Sequence, residues 1–164
     1  MNGFVLRAVS FRLDISATSQ SFPLKADLLS KEIERSLVPL LGDLNANAVV
    51  TCVTKDEIRE LNERYRGLSE ATDVLSFPMW EEDGRFIPPQ NWEEVPLGDV
   101  VVSPEFVRAG AISENMGYNN EMARIVVHGV LHLVGYGHDT EERARAMWEL
   151  QESIVARYEQ SKED

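Results

Sequence analysis

The chain has 164 residues, of which 43% are hydrophobic and 27% charged, and its formal net charge is −12 at pH 7. This charge argues against a broad basic face for nucleic acid, so any contact with nucleic acid must come from a local basic patch, a partner or a metal ion. Length predicts one domain over residues 1–164. We expect no membrane span and no secretion signal. The one cysteine, Cys52, allows no internal disulfide, and we therefore expect a cytoplasmic protein.

The N-terminal part of the chain predicts a strand followed by a helix. Loosely alternating apolar residues over 3–15 predict a strand or an irregular edge segment, and 17–21 predicts a loop. Apolar positions at helical spacing predict a helix from Lys25 to Gly42. Pro39 should bend or shorten the last turn of that helix.

A buried strand over 47–54 is predicted to lead directly into a second helix. Thr54 and Glu57 form a predicted capping box, and the helix runs to about Arg66, where Gly67 ends it. Its buried face is expected to contain Ile58, Leu61 and Tyr65.

The middle of the chain predicts two short strands separated by a long loop. Residues 68–73 are turn-prone, 74–77 predict a strand, and 97–103 predict a buried strand. Between them, 81–96 is rich in proline and acid and predicts a long loop. Such a loop either flanks an active site or is a surface insertion without a role.

The C-terminal part predicts three helices. One covers 104–114, a second carries the histidines from about Asn120, and a third is capped by Asp139 or Thr140 and ends near Gln160. The inward face of the third should contain Ala144, Met147, Trp148, Leu150, Ile154 and Val155. The order of elements predicts an α+β fold: a single domain with a mixed sheet of about four strands packed by helices.

The histidines of the chain all lie in one stretch: His128, His132 and His138. Four residues along a helix bring two imidazoles to one face at a separation that suits one metal ion. Gly135 and Gly137 can end the helix and reverse the chain, so that the third histidine returns to the same ion. The alternative is an apolar core helix that merely carries histidines.

The spacing is that of the zinc-protease motif H-E-x-x-H-x-x-G-x-x-H, except that Gly129 replaces the catalytic Glu. The similarity is therefore to the metal cage, and glycine cannot accept a proton. A metallohydrolase acting on peptides stays an alternative that this position opposes. We expect one Zn²⁺ per chain, although imidazoles also suit nickel, copper and iron.

Arg66 is the basic residue nearest the loop at 68–73. Its neighbours Lys55, Arg59 and Arg64 interleave with acids, which is typical of a solvated, ion-paired helix face. An arginine beside a metal can clamp a phosphate through two hydrogen bonds.

Six further residues are weaker candidates. Asp99, Ser76 and Asp139 either orient a histidine or serve the local backbone. Three aromatic residues either stack on bases or pack the loop onto the body: Trp80, Phe86 and Trp92.

Three blocks of the sequence together resemble the YbeY family of bacterial metal-dependent endoribonucleases. They read L-N-E-R-Y-R-G…T-D-V-L-S-F-P, L-G-D-V-V-V-S and V-V-H-G-V-L-H-L-V-G-Y-G-H-D, and the resemblance covers roughly residues 47–155. The chain departs from the family at Gly137, where Asp is usual, and at Ala71, where Pro is usual. Neither departure removes a ligand.

The resemblance implies an α+β fold with a three-histidine metal site, usually assigned as zinc, and cleavage of single-stranded RNA. It further implies roles in maturing the 3′ end of 16S ribosomal RNA and in ribosome quality control. His128, His132 and His138 match the metal positions, and His128 and Arg66 are the expected catalytic residues. Implied partners are ribosomal RNA and the small ribosomal subunit, with ribosomal proteins or an assembly GTPase as further candidates.

No protein general base is evident from the sequence. A tetrahedral zinc site with three imidazoles keeps one open position, and zinc acidifies water and polarises a phosphoryl oxygen. The third hypothesis is a ribosome assembly factor without catalysis, in which the metal is structural.

Overall fold

The computed structural model describes residues 10–17 and 22–164. Along the chain its elements are β1 (Ser10–Ala17), α1 (Ala26–Leu41), β2 (Asn45–Cys52), α2 (Lys55–Arg66), β3 (Val74–Pro78), β4 (Glu81–Glu82), β5 (Arg85–Phe86), β6 (Val95–Val102), α3 (Pro104–Ser113), α4 (Tyr118–Leu133) and α5 (Glu141–Ser161). The expectations for 3–9 and 18–21 lie outside the described residues.

The main sheet has four strands in the order β1-β2-β6-β3. β1 and β2 are parallel, β2 and β6 are parallel, and β3 runs antiparallel to β6. The prediction of an α+β domain with a mixed sheet of about four strands is confirmed.

Each face of the sheet carries its own apolar cluster. Val100 and Val102 of β6 face the main core with α4, whereas Val101 packs with Ile58 of α2 and Leu75 of β3. This alternation is what the period of a strand requires. Helix α4 packs on β3 and β6 and is flanked by α3 and α5. The histidine helix is therefore the central helix of the core.

Local signals placed helix α2 correctly. Thr54 accepts from the Glu57 backbone N–H at 3.1 Å, and the Glu57 side chain accepts from the Thr54 N–H at 3.0 Å, which completes the capping box. Gly67 ends the helix in the left-handed conformation, with φ 71°. Of the two effects predicted for Pro39, a bend or a shorter last turn, the shortening does not occur, because α1 continues to Leu41 and Gly42 still donates to Val38 O at 3.0 Å.

Two expected core positions are instead on the surface. Tyr65 is 60% exposed and Trp148 is 59% exposed. In α2 the buried polar residue is Asn62, whose amide donates to Glu70 O at 2.8 Å and holds the following loop against the helix. In α5 the buried positions are Met147, Gln151, Ile154, Val155 and Tyr158, and this stripe leaves Trp148 outside.

The segment 81–96 is not entirely a loop, which corrects the prediction. Strands β4 and β5 form a hairpin whose two turn residues, Asp83 and Gly84, have φ of 50° and 76°. Asp-Gly is a preferred pair for such a turn because both positions need positive φ. Strand β6 also starts earlier than expected, at Val95. Among the described residues, no helix has the length and apolar character that crossing a bilayer requires.

Candidate metal centre

His128 and His132 lie on adjacent turns of α4, and both are partly buried. Their Nε2 atoms are 2.9 Å apart. His138, which is exposed, completes the group, and the ligand atoms of the three histidines lie within 4.8 Å of one another. The structure thus brings together the three residues that the sequence selected.

A glycine turn returns the chain to the helix end. After the C-cap Val134, Gly135 has φ 94° and donates to His132 O at 3.2 Å, while Tyr136 donates to Leu131 O at 3.1 Å. This pair of bonds is the Schellman motif, which favours glycine at the left-handed position. The ring centroid of His138 consequently lies 5.7 Å from that of His128 and 5.0 Å from that of His132.

The hydrogen bonds of the two helical histidines fit a metal ion. Nδ1 of His128 lies 2.8 Å from Gln151 Oε1, and Nδ1 of His132 lies 2.9 Å from Tyr136 O. Both oxygens can only accept, so each Nδ1 carries the proton and each neutral ring keeps a lone pair on Nε2. The two lone pairs face each other across 2.9 Å, an arrangement that a cation shared between them stabilises.

Burial keeps these imidazoles neutral. It lowers the pKa of His132 to about 4, with the neighbouring His128 adding to the effect. It also lowers the pKa of His128, against the opposing influence of Gln151 and Asp73. Metal ligation needs neutral imidazole, so both rings are in the binding form at pH 7.

The histidines line a cleft of about 1070 Å³. Arg66 and Tyr65, at the end of α2, form part of its wall, together with β3 and the turn of the β4–β5 hairpin. The Tyr65 ring contacts Phe77 edge to face at 5.0 Å. The predicted phosphate ligand Arg66 therefore faces the same space as the histidines, whereas Arg59 pairs with Asp56 at 3.4 Å.

Arg143 is a cleft residue that the sequence reasoning missed. Its Nη2 donates to Gly135 O at 2.6 Å, and its Nη1 pairs with Asp139. A Cβ on Gly137 would lie 3.1 Å from Nη2, and one on Gly84 would lie 2.8 Å from it. Arg143 thus connects α5 to the hairpin turn and to the loop that carries His138. It occupies the space beside Gly137.

Gln151 was also missed, although it left a signal in the sequence. It is 7% exposed and lies in the otherwise apolar buried stripe of α5, between Met147 and Ile154. A polar residue at such a position needs a hydrogen-bond partner, and here the partner is His128.

The weaker candidates have mostly local roles. Asp99 is exposed on β6, outside the described residues that line the cleft. Ser76 lines the cleft and donates to Gly129 O at 3.1 Å. The aromatic residues pack: Trp80 donates to Pro96 O at 2.6 Å and contacts Trp92 edge to face at 5.3 Å, and Phe86 packs on the main core.

Gly129 faces the sheet and not the cleft. A Cβ there would lie 2.5 Å from Val100 Cγ1. The position that holds the catalytic Glu in zinc proteases is therefore used here for close packing of α4 on β6.

The chain has an α+β fold, and its three histidines gather where α4 ends and the glycine turn follows, in the same cleft as Arg66. These features define a class of proteins able to hold a metal ion. The model of the family described as Endoribonuclease YbeY matches residues 14–159. The YbeY endoribonuclease of Clostridioides difficile (strain 630) is 39% identical over 113 residues, which are 69% of this chain and 72% of that protein. That of Thermoanaerobacter sp. (strain X514) is 37% identical over 118 residues, or 69% of this chain and 74% of the relative.

A solved structure agrees with these matches. A solution structure of a Thermotoga maritima protein has a TM-score of 0.58 and 30% identity to this chain, with 89% of this chain and 88% of that one covered. The chain belongs to the YbeY endoribonuclease family, as the sequence resemblance implied.

Proposed function

We propose that this protein is a single-strand-specific, metal-dependent endoribonuclease that acts in maturation of the 16S ribosomal RNA 3′ end and in ribosome quality control. The observation that carries the proposal is the position of Arg66 in the same cleft as the three clustered histidines. Family membership implies an RNA substrate. A cleft that combines possible metal ligands with an arginine suits a phosphodiester.

His128, His132 and His138 would hold one Zn²⁺ per chain. When bound, such an ion polarises a phosphoryl oxygen and acidifies water. Each Nδ1 proton of His128 and His132 is hydrogen-bonded to an oxygen atom, so the Nε2 lone pairs of both rings are directed toward the histidine cluster before an ion binds. His128 acts in catalysis through this role as a ligand.

Arg66 would bind the phosphate of the scissile bond. Its planar guanidinium can donate two parallel hydrogen bonds to phosphate oxygens and offset their charge.

Asp73 lines the same cleft, but its Oδ1 accepts from the Val74 N–H at 2.8 Å and from Thr72 Oγ1 at 3.2 Å. These bonds hold the loop in front of β3.

The charge distribution shapes how RNA reaches the cleft. The net charge is −12, and Glu81, Asp83 and Asp139 line the cleft besides Asp73. Repulsion from these acids disfavours capture of free RNA. We therefore propose that the substrate is presented by the small ribosomal subunit, with ribosomal proteins or an assembly GTPase as additional partners.

The test uses a nuclease-clean preparation loaded with Zn²⁺, incubated with single-stranded ribosomal RNA beside the His128→Ala variant. Wild type should cleave, and the variant should lose about a hundredfold or more of the rate, since a metal contributes several kcal/mol to such transition states. Circular dichroism should show both folded. Full cleavage by a folded, metal-free His128→Ala protein contradicts the proposal.

Chelation separates the proposal from its alternatives. Loss of cleavage with retained fold supports a catalytic metal, whereas unfolding on chelation indicates a structural one. Digestion of unstructured peptides that a chelator stops would indicate a peptide hydrolase.

A further inference from the structure

The Nδ1 atom of His128 is hydrogen-bonded to a side chain, whereas the Nδ1 atom of His132 is hydrogen-bonded to the main chain. His132 Nδ1 bonds the main-chain oxygen of Tyr136, whereas His128 Nδ1 bonds Gln151 Oε1 at 2.8 Å. Gln151 comes from α5, 23 residues further along the chain, and is 7% exposed. A partly buried contact between two helices therefore holds the ring of a candidate ligand.

The orientation of the Gln151 amide is itself set by its surroundings. A glutamine can present either its carbonyl or its NH₂ group to a partner. Here Nε2 donates to Glu152 Oε1 at 3.3 Å, and a carboxylate can only accept. The NH₂ group is therefore turned to Glu152, and the carbonyl faces His128.

An ion pair between helices anchors this carboxylate. Arg124 of α4 donates to Glu152 through Nε at 2.6 Å and Nη2 at 3.1 Å. Its Nη1 also donates to Asn120 at 3.0 Å and to Glu121 at 2.9 Å. A chain of partly buried hydrogen bonds thus leads from Arg124 through Glu152 and Gln151 to His128.

We infer that Gln151 is a positioning residue for the metal centre: it holds the proton of His128 on Nδ1 and so directs the Nε2 lone pair to the histidine cluster. Gln151 acts through His128 and not on the substrate. Bonds of this kind to metal-ligating histidines fix ring tautomer and orientation, and their loss weakens metal affinity about 10–100-fold. The inference rests on the proposed function, because it presumes that the three histidines hold a metal.

The experiment compares Zn²⁺ affinity of metal-free wild type, Gln151→Leu and the control Gln160→Leu, by competition with a chromophoric chelator. Leucine keeps much of the volume of glutamine and removes the acceptor. Gln160 is exposed on the same helix, so its substitution makes the same chemical change away from the site. Gln151→Leu should bind Zn²⁺ about 10–100-fold more weakly, and Gln160→Leu should match wild type.

A second measurement needs no variant and therefore stands even if Gln151→Leu fails to fold. In metal-free wild type at alkaline pH, ¹⁵N NMR of the imidazoles should show His128 protonated on Nδ1. Protonation on Nε2 overturns the inference, and so does equal Zn²⁺ affinity of a folded Gln151→Leu protein. A wild type that binds no Zn²⁺ overturns the proposed function as well, so the two failures are distinguishable.

Discussion

The imidazoles of His128 and His132 face each other with their Nε2 atoms 2.9 Å apart, and each ring is held from behind through Nδ1. Rotation of either ring would break the partly buried hydrogen bond between its Nδ1 and an oxygen atom. Protonation of either Nε2 would put a charge beside the other ring and into the protein interior. The pair is therefore arranged to bind a cation and to resist a proton.

This arrangement makes the metal-free protein sensitive to acid. The pKa of His132 is lowered from 6.5 to about 4, first by burial and then by the charge of His128. Between these values the unfolded chain binds a proton that the folded chain does not. The free energy of unfolding should therefore fall as pH drops from about 6.5 to about 4 and stay level just above that window. Urea titrations of metal-free protein at several pH values measure it.

The control is His132→Gln, which cannot titrate at this position. Carboxylates titrate in both proteins, so the informative quantity is the difference between the two pH profiles. The wild-type profile should be steeper in the window. Parallel profiles for wild type and variant would contradict the assignment of the lowered pKa to His132.

The sequence predicts those parts of the site that depend on residues close together in the chain. The His128–His132 spacing fixes a shared helix face, and the turn at Gly135 follows from the left-handed conformation that ends α4. Gln151 and Arg143 were not predicted, because their contacts depend on how α5 packs against α4. Periodicity identifies a buried face but does not say which residue of another helix it meets.

The hairpin shows the same limit at a smaller scale. β4 and β5 have two residues each, too few for an alternating pattern to appear. The Asp83-Gly84 pair was a turn signal, but the acidic and proline-rich surroundings favoured a loop. The turn becomes part of the cleft wall because Gly135 packs against it. A Cβ on Gly135 would lie only 3.0 Å from Gly84 O, and this contact between distant residues has no local signal in the sequence.

Arg66→Met should lower kcat/KM for single-stranded RNA. Loss of a charged hydrogen-bond donor costs about 1.5–3 kcal/mol, or roughly tenfold to a hundredfold in rate. Arg66→Lys should restore only part of the rate, because an ammonium lacks the planar pair of donors. Steady-state kinetics with a labelled RNA measures both variants.

Arg59→Met is the matched control for this prediction. Arg59 lies on the same helix and carries the same charge, but it pairs with Asp56 and lies outside the described cleft lining. It should leave kcat/KM within about twofold of wild type, as surface ion pairs contribute little. Equal losses at Arg59 and Arg66 would show a general charge effect and remove the specific role of Arg66.

Asp83→Asn should tighten binding of single-stranded RNA. Asp83 lines the cleft in the turn of the hairpin, and asparagine tolerates its positive φ of 50°. Removal of one negative charge should lower KM by about twofold at low salt, and the difference should shrink as salt screens the charge. KM measured across a salt series gives the result. Asp43→Asn, an exposed change outside the cleft lining, should have less effect, and an equal effect would refute a local role.

Gly129→Ala should destabilise the protein. The new Cβ would lie 2.5 Å from Val100 Cγ1 and 3.2 Å from Val100 Cγ2, so α4 would have to move away from β6. Overpacking of this kind costs about 1–3 kcal/mol, which exceeds the gain of up to about 1 kcal/mol in helix propensity. The same movement would displace His128, the preceding residue, and weaken Zn²⁺ binding.

Gly110→Ala provides the opposite case within the same chain. Gly110 lies in α3 and is exposed, and none of the described residues beyond its own helix places an atom within 4 Å of the position of a Cβ. Alanine there should raise the free energy of unfolding by about 0.5–1 kcal/mol, because only the helix propensity changes. Urea unfolding of the two metal-free variants should therefore shift in opposite directions. A Gly129→Ala protein as stable as Gly110→Ala would mean that α4 does not need glycine to reach the sheet, and that His128 is not held by this close packing.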